Sequence, residues 1–163
     1  MRIRFAATFL AVSAATVISA SSVASASPRP GAKPNEHLRI MSTKAASRRL
    51  SVIATGAFTG GGYDKPARKT DTIVLPGGTF TFTHVSTSFT ATANPQTCLI
   101  TETEKGTFTL GGGTGKYAGI RGSGTYVTSI VAVAAKNRAG QCKHVQAPHT
   151  FQGTTRASGT VRT

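Results

Sequence analysis

The run from Gly111 to Gly124 constrains this chain more than any other segment. Seven of its fourteen positions are glycine, with Tyr117 and Ile120 set among them. Strand-like runs flank it, Gly106 to Leu110 before and Thr125 to Val133 after. Glycine reaches φ > 0 without steric cost, so such a run suits a tight turn, a bulge and close backbone approach in succession. The spacing predicts a β-hairpin connection built on Gly113, Gly115, Tyr117, Gly119, Gly122 and Gly124. A nucleotide site is excluded: Gly113 to Ala118 satisfies a G-x-G-x-x-A pattern, but that pattern binds dinucleotides only between a strand and a helix. Here a strand follows. A phosphate-binding P-loop fails as well, because Leu110 stands at its first glycine position and Tyr117 follows Lys116.

The residues around this run are β-forming throughout. Thr, Val, Ile and Phe dominate from Leu50 onward, and no stretch keeps apolar residues at helical spacing for three turns. Ten short strand runs are expected: Ser51–Phe58, Thr72–Leu75, Thr79–Val85, Ser88–Ala93, Cys98–Thr103, Thr107–Leu110, Gly124–Ala134, Lys143–Ala147, Thr150–Gln152 and Gly159–Thr163. Short strands with turn signals between them fit an all-β domain, a sandwich or an antiparallel barrel. In Thr79 to Thr83 both phenylalanines share one face and the threonines the other. Val85 and Phe89 are odd-numbered, so the phase must change near His84 to Thr87, as it does where a strand bulges.

At the glycine-rich hairpin the pattern GGTGKYAGIRGSGTY, preceded by KGTFTL, resembles the signature turn of the allene oxide cyclase and dirigent superfamily and of its secreted bacterial relatives. The resemblance covers about 20 residues strongly and residues 50–163 in strand rhythm. It implies a single closed or nearly closed antiparallel β-barrel of about eight strands, often trimeric, and it points to an apolar or phenolic ligand. The family's catalytic carboxylate has no matched position in this chain, so cyclase activity does not carry over.

The N-terminal segment reads as an export signal. Met1 to Arg4 is basic, Phe5 to Ala20 is apolar or small, and Ala24-Ser25-Ala26 supplies the small-x-small cleavage pattern. Residues 1–26 are thus expected to be a signal peptide, too short and too rich in Ala, Ser and Thr for a membrane span. Residues 27–49, with three prolines and few large apolar residues, read as a flexible basic arm. Residues 50–163 would form the barrel of a secreted, extracellular protein associated with the cell wall through that arm. The mature chain then holds two cysteines in an oxidising compartment, Cys98 and Cys142. A bridge between them would close a loop of about 45 residues and contribute roughly 4 kcal/mol on the chain-entropy model.

Candidate chemical groups are few. Glu102 and Glu104 share a strand phase with Phe108 and Leu110, so an unbroken strand would aim both carboxylates into the barrel, where burial raises a carboxyl pKa. A slip at Lys105-Gly106 would leave them in solvent. With His84 they are the candidate catalytic residues. The histidines His144 and His149 flank a turn at Pro148, without an acidic neighbour in sequence, so no metal site is assigned. No cofactor motif, nucleophile elbow or H-E-x-x-H is present.

Charge completes the picture. Without Arg2 and Arg4 the formal +14 becomes roughly +12. The cations are scattered, with small clusters at Arg48-Arg49, Lys65–Lys69 and Lys136–Lys143. No aromatic platform accompanies them, so specific nucleic-acid binding is not expected. The favoured reading is a non-enzymatic barrel that binds a small apolar or phenolic ligand or an anionic cell-surface polymer. The alternative is a cyclase- or isomerase-type enzyme using interior carboxylates.

Overall fold

The computed structural model describes residues 35–143 and 147–162. The expected signal peptide, the first part of the expected arm and His144 lie outside the described residues. Eight antiparallel strands close into a barrel in sequence order, each paired with its neighbours and the last with the first. They are β1 (Asn35–Ser42), β2 (Leu50–Gly56), β3 (Gly60–Lys65), β4 (Thr70–Leu75), β5 (Gly78–Ala93), β6 (Leu99–Gly111), β7 (Arg121–Val133) and β8 (Thr150–Arg162). All connections are hairpins, so odd-numbered strands rise toward one end and even-numbered strands descend toward the other.

Strand β1 corrects the expected boundary at residue 50. Asn35–Ser42 alternates exposed and buried positions and inserts Leu38 and Ile40 into the core. With Met41, those side chains are the only large apolar content of the segment, which made it look too poor to fold. Two alternating apolar residues suffice once β2 and β8 supply partners on both sides. Strand β3 was not expected either, because Gly60-Gly61-Gly62 has no β-former to signal it. Three strands each absorb two expected runs: β5, β6 and β8 continue through the gaps between them.

The inner face follows the period-two alternation of each strand. Ile73, Phe80, Phe82, Phe108, Leu110 and Val161 fill the middle of the barrel, with Phe82 and Phe108 stacked at 4.8 Å between centroids. Such a pair adds about 1 kcal/mol beyond the burial of its area. Phe58, Phe80 and Tyr117 meet edge to face at 5.2 to 5.6 Å and close the lower end. The barrel is therefore packed through its lower and middle parts.

The glycine-rich connection forms that floor. Gly113 lies so close to the Tyr117 carbonyl that a Cβ there would sit 1.7 Å from the oxygen, and a 3₁₀ turn at Gly115–Tyr117 directs the Tyr117 ring inward. The expected hairpin turn is shorter than predicted: Gly122 and Gly124 belong to β7, opposite Leu110 and Phe108. Their missing side chains leave inner-face room for those two large residues.

Strands β5 to β8 are about twice the length of β1 to β4, so they extend past the barrel rim as a four-stranded flange. A bulge between Ser86 and Ser88 breaks the β5–β6 register, leaving Thr87 unpaired. Phe89 is thereby switched to the inner face opposite Glu104, as its odd number requires, although it stands 60% exposed above the rim. Cys98 and Cys142 form a disulfide at the flange tip, with Cα atoms 5.4 Å apart. It ties the β5–β6 turn to the β7–β8 connection, at the end opposite the glycine-rich floor.

Candidate functional site

The open end of the barrel holds a cavity of about 190 Å³ where polar side chains replace the phenylalanine core. Its chemistry comes from five groups: Asp64, Asp71, His84, Glu104 and Tyr126. Each occupies an inner-face position on its strand, toward the open end of the barrel. On β4, Asp71 shares its phase with Ile73 and Leu75. On β5, His84 follows Phe80 and Phe82. On β6, Glu104 follows Phe108 and Gly106 without a slip, since the β6–β7 register is continuous from Leu99 to Leu110.

The carboxyls differ in their surroundings. Asp71 accepts a hydrogen bond from the Ala67 amide at 2.7 Å, and its other oxygen lies 3.7 Å from His84 Nε2. Burial raises its pKa, while the Ala67 amide and His84 pull in the opposite direction. Asp64 is 1% exposed, and its Oδ1 has no protein hydrogen-bond partner. Burial, aided by the charge of Asp71, pushes its carboxyl up to about 7. Tyr126 donates from its hydroxyl to Glu104 Oε1 at 2.6 Å, and burial and that hydrogen bond raise the phenol above its ordinary range. The Tyr126 ring meets His84 edge-on at 6.0 Å.

Next to this polar cavity lies an apolar trough of about 280 Å³, sharing Ile40, Leu50, Pro66, Thr128 and Thr155 with it. Met41, Ile130 and Phe151 supply the rest of its apolar wall, and Lys44 stands at its margin. A larger depression, about 550 Å³, lies elsewhere. It lies on the outer face of β7 and β8 around Val127, Val131 and Arg156, and no carboxylate or histidine lines it. Convergent polar groups, not size, mark a site.

Of the expected candidates, His84 and Glu104 come together at the cavity. Glu102 keeps the same phase but sits one step higher on the flange, outside the cavity lining. Asp64, Asp71 and Tyr126 were not expected as site residues. Asp71 was legible from its phase with Ile73 and Leu75; Asp64, in a glycine-rich strand, had no such signal. Among the described residues no cluster of three or more metal-ligating side chains occurs. No family model, curated protein or solved structure matches the chain.

Proposed function

We propose that this chain is a secreted, non-enzymatic barrel that binds a small molecule with an apolar body and a hydroxyl or phenolic head at its open end. The observation that carries this reading is the junction of the acid-lined cavity with the apolar trough. A hydroxyl head has acceptors in Asp64 and Asp71 and a ring neighbour in His84, while Ile130, Phe151 and Met41 cover the apolar body. A cavity of this order accepts one aromatic ring. Burial of the head among carboxylates selects a hydrogen-bond donor and rejects an anion. The Cys98–Cys142 bridge supports an oxidising, extracellular location.

One observation favours a second reading, proton-transfer catalysis of the isomerase type. Asp64 combines an unpartnered oxygen with a pKa near neutral, the poise a general acid or base requires. In that reading Asp64 moves the proton, and the Asp71–His84 pair fixes the local field.

Titration with a neutral apolar fluorophore, followed by displacement with simple phenols, tests the binding reading. Saturable one-to-one binding should be abolished by Ile130→Arg in the trough and unchanged by Val131→Arg on the outer face. Absence of saturable binding, or equal loss in both variants, would overturn it. Phenol turnover or solvent-deuterium exchange lost in Asp64→Asn would establish the enzymatic reading instead.

A further inference from the structure

The fold gathers cations that are scattered in sequence. Four connections face the open end, and three of them carry three cations each. The β1–β2 loop holds Lys44, Arg48 and Arg49, and the β3–β4 segment holds Lys65, Arg68 and Lys69. The β7–β8 connection, at the flange tip, holds Lys136, Arg138 and Lys143. All but Lys143 are exposed. Among the described residues the closed end carries Lys116, Arg121 and Arg162.

Carboxylates do not offset this field. The chain has five acidic residues, and all of them lie on the inner side: Glu36, Asp64 and Asp71 are buried, and Glu102 and Glu104 face inward from the flange. Among the described residues the single ion-pair contact is His84 with Asp71, so no lysine or arginine is neutralised by a carboxylate. The outer surface at the open end is thus uniformly cationic.

We propose that these loops form a crown that binds a linear phosphate polymer lacking bases. Composition separates this partner from the other polyanions. Residues 43–49, 66–69 and 134–143 contain no aromatic and no Leu, Ile, Val or Met. The nearest aromatic, Tyr63 on β3, has Arg49 at 4.7 Å and Lys65 at 5.9 Å from its ring, so the loops themselves offer no row of rings for successive bases to stack on and no apolar side chain to enter the acyl region of a membrane. Geometry sets the length. The β3–β4 loop lies level with Thr83, ten residues short of the end of β5, roughly 30 Å at the rise of a strand, whereas the β1–β2 loop follows Ser42, which pairs with Gly153 only about 10 Å below the start of β8. Only an extended polyanion reaches rim and tip together, and joining two sites through one chain multiplies their affinities. The crown borders the small-molecule site, with Lys44 at the margin of the trough, but it does not require a ligand there.

The experiment measures binding of the full chain to long-chain inorganic polyphosphate at fixed salt. The triple variant Lys44→Gln, Arg48→Gln, Arg68→Gln should weaken binding about tenfold or more, because each lost contact also removes a counterion-release contribution. The matched variant Lys116→Gln, Arg121→Gln, Arg162→Gln removes equal charge from the closed end and should stay within about twofold. Thermal melts confirm that both remain folded. A third variant, Arg138→Gln with Lys143→Gln, should reduce the advantage of long chains over tripolyphosphate. Equal losses in the two triple variants would overturn the crown in favour of net charge alone. Equal binding to single-stranded DNA, or to vesicles of phosphatidylglycerol, would overturn the assignment to a base-free polymer.

Discussion

Tyr126 and Glu104 join the barrel wall to its mouth: from β7, the Tyr126 hydroxyl donates to the β6 carboxylate at 2.6 Å. The tyrosine ring belongs to the apolar core and the carboxylate to the polar cavity, so one hydrogen bond fixes the boundary between them. Glu104 is thereby held inward although the flange around it is open to water.

Tyr126→Phe keeps the ring and deletes the donor. Loss of one hydrogen bond to a charged acceptor is expected to cost about 1.5–3 kcal/mol, read from urea denaturation at neutral pH. A neutral result would show that Glu104 finds its partner in solvent.

Asp64 makes stability fall with rising pH. Below about pH 4 its carboxyl is protonated in both folded and unfolded chains, so its burial costs little. Between the ordinary value of 3.8 and about 7 the unfolded chain releases the proton and the folded chain keeps it. The folded state then binds more protons, and stability declines through that window by on the order of 2–4 kcal/mol. Glu36, buried with an orphaned Oε1, and Asp71 shift in the same direction. Asp64→Asn should raise the melting temperature at pH 8, change it little at pH 4, and flatten the profile between them. An unchanged slope would place the titrating group elsewhere.

The double variant Cys98→Ser, Cys142→Ser releases a constraint spanning 44 residues. On the chain-entropy model the loss is about 4 kcal/mol. Hydrogen exchange should rise first at the flange tip around Asn94 and Ala134, while Phe80 and Ile73 in the closed half stay protected. Uniform loss of protection would mean that the bridge supports the whole barrel.

Gly106 lies where β5 bulges, and a Cβ there would meet the Val85 carbonyl oxygen at 2.2 Å and the Tyr126 ring at 2.5 Å. Gly106→Ala should therefore destabilise by about 3 kcal/mol or more and loosen the Tyr126–Glu104 bond. Gly119→Ala meets no atom within 4 Å and bears only its left-handed φ of +82°. Its cost should be about 1 kcal/mol. Equilibrium unfolding of the two variants side by side checks the contrast.

What the sequence made legible was whatever alternation carries. Phe80, Phe82, Phe108 and Leu110 declared an inner face, and the phase change before Phe89 announced a bulge that the structure places between Ser86 and Ser88. Val85 did not follow that change: it precedes the bulge and points outward, 61% exposed. Strand β3 was silent because three glycines carry no face preference. The site was half legible for a related reason. His84 and Glu104 extend visible apolar runs, whereas Asp64 is brought to them by pairing between strands, which no local pattern encodes. The same holds for the basic loops, which lie far apart along the chain and meet only because every rising strand ends on one side.

The barrel closes through β1 and β8, where His37 stands opposite Ser158 with Nδ1 and Oγ 2.8 Å apart. Those two residues are 121 positions apart, and the β1–β8 seam to which they belong is the pairing of longest range in the ring. During synthesis, β1 waits for its second neighbour until the final strand has emerged, which makes closure a late and slow event. A chain stopped before Thr150 would present two bare strand edges, on β1 and on β7. Such edges pair with other copies. Premature termination therefore produces self-associating chains, not a smaller folded unit.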